Sequence, residues 1–131
     1  VLGLHWMTPI VHECNIYAFS GRNEPDAKFR CVEFSTGKLL WSQDEAWQKY
    51  GPPSNKYGRG SFIQADGKLI VVGETGKFGL FKLDAKKSVE LASYMVPQLR
   101  YPCWAAPAMA DKCVYLRSEA YLICLDLAKK R

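Results

Sequence analysis

A chain of 131 residues, 48% apolar and 24% charged, has the size of one ordinary domain and is too apolar to be disordered. Its net charge of +5 gives a general attraction to anionic surfaces. The basic residues are scattered, densest at Lys129, Lys130 and Arg131, with no basic helix or basic–aromatic motif, so nucleic-acid binding is not expected.

No apolar run reaches the roughly 18 residues of a membrane span, and no charged n-region with an apolar h-region marks a signal peptide. Aromatic residues make up 13% of the chain, which favours strands. Residues 8–21, TPIVHECNIYAFSG, read as two short strands around a turn at His12-Glu13-Cys14. KFRCVEF (28–34) alternates apolar and polar positions and predicts a third strand. Ser35-Thr36-Gly37 supplies a turn, and KLLWS is a fourth strand. DEAWQKY predicts one helical turn, followed by a loop at Gly51-Pro52-Pro53-Ser54-Asn55.

The strand pattern then resumes. GSFIQADGKLIVVGETG holds Asp66-Gly67, a strong hairpin signal between two apolar runs. FGLFKLDAKK and SVELASYMV complete a second set of four strands. In the third set, WAAPAMADKCVYLRSEAYLICLDLAKKR, Asp111-Lys112 takes the place of Asp66-Gly67, and the chain ends before a fourth strand. Stacking HECNIYAFSG, ADGKLIVVGE and ADKCVYLRSE, and separately CVEFSTGK, FKLDAKKS and CLDLAKKR, gives one degenerate repeat. Four-strand units repeating every roughly 40 to 50 residues predict β-propeller blades.

The fold class expected is therefore all-β: a partial propeller of about three four-stranded antiparallel blades in one domain, 1–131. The blades are placed at about 8–42, 60–95 and 104–131, the third incomplete. TPIVHE, SFIQAD and APAMAD are the expected innermost strands, and residues 1–7 a candidate to complete the third blade. The expected core is Ile10, Ile16, Tyr17, Cys31, Phe34, Leu40, Trp41, Phe62, Ile63, Leu69, Val71, Leu80, Phe81, Leu83, Val114, Leu116, Leu122, Cys124 and Leu125. Cys31, Phe81 and Cys124 share one repeat column, which reads as a buried apolar position.

These segments resemble the PQQ-like (quinoprotein-like) β-propeller repeat family, nearest to its bacterial PQQ-binding-like repeat proteins and more distantly to the BamB-like ones. The shared features are an Asp-Gly-type turn, a Cys-Leu-Asp strand, a Thr-Gly turn and a closing tryptophan. The resemblance implies an extracytoplasmic, non-catalytic binding or scaffold module for a protein or small ligand. Its alternatives are a fragment of a PQQ-dependent oxidoreductase and a carbohydrate-associated ligand-binding propeller. By match, Trp41 docks between neighbouring blades and packs over Gly37. Such propellers have six to eight blades, so the chain is expected to be a piece of a longer protein or to associate with copies of itself, with an envelope protein or small ligand as a further partner.

No catalytic, metal or cofactor residue is expected. Family quinone sites use carboxylates, calcium and two adjacent cysteines, and no Cys-Cys pair occurs here; PQQ with Ca2+ is expected only if a longer parent supplies the site. Glu13, Asp66, Glu74, Asp84, Asp111, Glu119 and Asp126 fall at turns or strand ends and read as turn-forming or solvated acids. His5 and His12 have no third ligand at zinc-like spacing. The five cysteines include no CxxC pair. Cys113 and Cys124 are placed facing each other across a turn at Ser118-Glu119, where a disulfide would be strained and free thiols are expected. No GxSxG marks a serine nucleophile. GETGKFG lacks phosphate-loop spacing and reads as a hairpin turn. The most unusual loop is RYPCWAAP; Arg100, Tyr101 and Trp104 are its ligand-mouth candidates, against the plainer reading of Trp104 as an inter-blade packing residue.

Overall fold

The computed structural model describes residues 1–128. The basic cluster Lys129, Lys130 and Arg131 and the end of the third repeat lie outside the described residues. Eleven strands form three antiparallel sheets, and the described residues contain no α-helix. The first sheet joins β1 (Ile10–His12), β2 (Asn15–Ser20), β3 (Lys28–Glu33) and β4 (Leu39–Asp44) in sequence order. The second joins β5 (Ser61–Ala65), β6 (Lys68–Val72), β7 (Lys77–Lys82) and β8 (Val89–Met95). The third holds β9 (Ala108–Ala110), β10 (Cys113–Arg117) and β11 (Leu122–Asp126).

Each sheet starts with the same tight turn. Glu13 and Cys14 have φ of 47° and 63°, Asp66 and Gly67 51° and 69°, Asp111 and Lys112 50° and 66°. Two consecutive positive φ values are the two-residue hairpin turn whose twist matches that of the strands it joins. Counting from this turn aligns the sheets. The third residue after it is Tyr17, Ile70 or Tyr115, paired with Cys31, Leu80 and Cys124 respectively. The repeat column is thus Cys31, Leu80 and Cys124. The assignment of Phe81 to it is one residue out, and a one-residue shift moves a side chain to the other face of a strand.

The second sheet lies between the other two. Leu69, Val71 and Phe81 pack with Tyr17, Phe19, Phe29 and Cys31 of the first sheet. Ile70 and Val72, pointing the opposite way, pack with Val114 and Leu116 of the third. This double burial is why β6 reads as the unbroken apolar run LIVV rather than an alternating one.

Several expectations change. Phe34 is 61% and Leu122 71% exposed, and Cys124 is exposed. Phe34 follows β3 at the turn, while Leu122 and Cys124 lie on the face of the third sheet that no described element covers. Residues 1–7 do not complete the third sheet; they run along the first, with Gly21 N donating to Gly3 O at 2.9 Å and Phe19 N to Met7 Sδ at 3.2 Å. The helical turn expected in DEAWQKY is absent, because Glu45 N and Trp47 N donate to Ala27 O and Glu24 O. Cys113 is directly opposite Asp126, with Cys124 its diagonal neighbour in side-chain contact on the same face, and all five cysteines are free thiols.

Candidate functional site

One end of the stacked sheets gathers the segments 21–27, 45–60, 73–76 and 96–107 around a single carboxylate. Glu74, in the β6–β7 turn, is 0% exposed. Its Oε1 accepts from Trp47 Nε1 at 2.8 Å, Arg59 N at 2.9 Å and Arg59 Nε at 3.1 Å. Its Oε2 accepts from an Arg59 terminal nitrogen and from Trp104 Nε1, both at 3.0 Å. A charge this deep is tolerated only when paired and fully hydrogen-bonded. Its backbone is used as well, since Glu74 N donates to Tyr57 O and Cys103 N to Glu74 O.

Arg59 is satisfied in the same way. Beyond Glu74 it reaches Arg22 O at 2.7 Å, Glu24 Oε1 at 3.2 Å and His5 Nδ1 at 3.3 Å. Its guanidinium stacks 4.7 Å from the Trp6 ring. Burial alone would lower its pKa, but the hydrogen bonds and charge of Glu74 outweigh this and raise it. Tyr101 donates to Glu24 Oε1 at 3.0 Å. Burial first, then Glu24, pushes that phenol up to about 12. Gly58 is required by close approach: a Cβ there would lie 2.6 Å from Trp47 Nε1 and 2.7 Å from Glu74 Oε1.

The loop candidates are placed around this hub. Tyr101 is half-buried, in edge contact with Trp47 at 5.0 Å and Trp104 at 5.7 Å. Trp104 keeps its N–H on Glu74 and its ring 42% exposed. Arg100 is exposed and lines a separate cavity of about 150 Å³ with Tyr101 and Ser118–Tyr121. The structure thus joins Tyr101 and Trp104 through Glu24, Arg59 and Glu74 and leaves Arg100 to the side. The hub carboxylate is the residue that reading acids as solvated turn formers misassigned. Glu74 closes a run of buried residues, and Gly58 and Gly60 flank Arg59; that pattern was the available signal.

Trp41 sits elsewhere, at the seam of the first two sheets. Its Nε1 donates to Asp84 O at 2.8 Å, and its ring meets Phe29 edge-on at 5.0 Å. It does not fill the space beside Gly37, where an added Cβ would meet nothing within 4 Å; Gly37 serves the turn, at φ +73°.

A second polar cavity of about 250 Å³ lies between the sheets, lined by Glu45, Lys56, Tyr57, Lys77 and Glu90 among others. Glu45 is buried, accepts from Tyr57 N at 2.9 Å, and is raised above the ordinary carboxylate range by burial.

Among the described residues no group of three or more His, Cys, Asp or Glu side chains is arranged to hold a metal ion, and the Glu74 oxygens are occupied by five protein donors. His5 meets Arg59, while His12 lies by Gln64 at 3.3 Å. No helix among the described residues is long and apolar enough to cross a membrane. No protein-family model matches the chain, and no curated protein matches it.

Proposed function

We propose that this chain is a segment of a β-propeller of the PQQ-like repeat type and acts as a non-catalytic binding or scaffold module. One observation carries the reading. Tyr17 with Cys31, and Ile70 with Leu80, are covered by the following sheet. Their counterparts Tyr115 and Cys124, on the outer face of the third sheet, are exposed. A following sheet, from more of the same chain or from a second copy, covers that face in this reading. The resemblance in the repeats adds an extracytoplasmic setting and an envelope protein or small ligand as partner.

Two measurements test it. Sedimentation of the chain is expected to give a dimer or larger assembly that Leu122→Glu dissociates; a monomer unchanged by the substitution counts against a covered face. Titration with PQQ and calcium is expected to leave the quinone absorbance unchanged. A saturable spectral shift there would overturn the non-catalytic reading.

A further inference from the structure

We propose that the cavity beside Trp104 binds a neutral pyranose sugar, with the sugar ring stacked on the indole and its hydroxyls shared between Arg117 and Glu119. The proposal rests on the reading of the chain as a binding module and names its ligand class.

The cavity holds about 230 Å³ and is lined by Pro102, Trp104, Ala105, Arg117, Ser118 and Glu119. That is below the roughly 300 Å³ at which drug-sized sites begin, so it accommodates a single ring. Trp104 is fixed before any ligand arrives. Its N–H is bonded to Glu74 at 3.0 Å, and Trp6 and Tyr101 hold the ring from 5.2 and 5.7 Å. A side chain already ordered loses little freedom on binding. The face of an indole is electron-rich, and the C–H-bearing face of a pyranose is its electrostatic complement.

The polar groups match the rest of such a ligand. Arg117 at the end of β10 and Glu119 in the following turn are exposed, and neither is engaged by another described side chain. One offers only donors and the other only acceptors, and a sugar hydroxyl is both. Their charges cancel, which favours an uncharged ligand over an ionic one. Ser118 Oγ accepts from Tyr121 N at 3.1 Å and Ala120 N at 3.3 Å, which leaves its hydroxyl proton for the ligand. Ser118 N donates to Tyr121 O at 2.9 Å and holds the turn in place.

The test is saturation-transfer NMR on the intact chain with methyl glycosides of glucose, galactose, mannose and N-acetylglucosamine, and with adenosine as a stacking control. At least one glycoside is expected to bind with a dissociation constant on the order of 1 mM and to receive saturation mainly at the protons of one ring face. Arg117→Ala and Glu119→Gln, both surface changes, are each expected to weaken it about 10-fold or more. No transfer to any glycoside, binding of adenosine alone, or glycoside binding unmoved by both variants would overturn the proposal. The sedimentation and quinone experiments do not depend on this cavity, so the ligand class and the module reading fail separately.

Discussion

Glu74 is held in place by five donors from two separate loops, and so its cost of removal is high. Glu74→Gln keeps the shape but turns one acceptor into a donor facing Arg59 or Trp104. It also leaves the Arg59 charge with only the more exposed Glu24 as a carboxylate partner. Breaking one partner of a buried pair costs about 3–5 kcal/mol, and urea unfolding should show a loss of that order. Arg59→Met strands the opposite charge and should cost about as much. The double variant with Glu74→Leu should cost clearly less than the sum, because no buried charge remains. A smaller effect of opposite sign is expected at Lys112. With φ at 66° it holds the left-handed conformation that Gly67 holds in the second sheet. A non-glycine residue pays about 1–2 kcal/mol there. Lys112→Gly should raise the unfolding free energy by about 1 kcal/mol after the extra freedom of the unfolded chain is set against it.

At the scale of elements, Trp41 joins the first sheet to the second through its ring and its bond to Asp84 O. Trp41→Phe deletes the hydrogen bond and trims the indole to a phenyl ring, and should cost about 1–1.5 kcal/mol. Trp41→Ala removes a half-buried ring and should cost about 2 kcal/mol, less than the fully buried case. Amide exchange should quicken in β2, β3 and β4 but not in β10, whose core partners do not include Trp41. The strands themselves were legible because period-two alternation and the tight turns are local signals. The helical turn in DEAWQKY was misread because its amides are claimed by Ala27 and Glu24, some twenty residues away. Phe81 is misplaced by the letters because FKLDAKKS and CLDLAKKR coincide at Ala-Lys-Lys, whereas the ladder pairs Leu80 with Ile70 and Cys124 with Tyr115. Trp104 stood out by composition, but its anchor on Glu74 crosses 30 positions of sequence and leaves no local trace.

Among the described residues, two sets of shifted groups act on stability with opposite signs. Glu24, Asp26 and Asp44 lie below their ordinary values. The causes are backbone hydrogen bonds at Glu24 and Asp26 and the Lys28 hydrogen bond at Asp44. Their unfolded forms bind protons first as the pH falls, so the stability they supply is present above about pH 4.5 and is lost below it. Burial raises the second set: the phenols of Tyr17, Tyr57 and Tyr101 and the thiols of Cys31 and Cys103, the last to about 11. From an ordinary thiol value of 9.0 upward the unfolded chain releases protons that the fold retains. Stability must therefore fall as the pH rises through 9 and beyond. Urea midpoints measured against pH should give a plateau with a loss on each side, and Cys103→Ala should make the alkaline loss shallower. Glu45 places a further slope inside the plateau. Its raised value means the fold favours the protonated acid, so its contribution declines as the pH climbs above the ordinary 4.5. Glu45→Gln keeps an acceptor for Tyr57 N and removes the buried charge. The variant should match the parent near pH 4 and exceed it at pH 7. A variant weaker than the parent at pH 7 would mean that Lys56 and Lys77, both beside the cavity, compensate the ionised carboxylate more than burial penalises it.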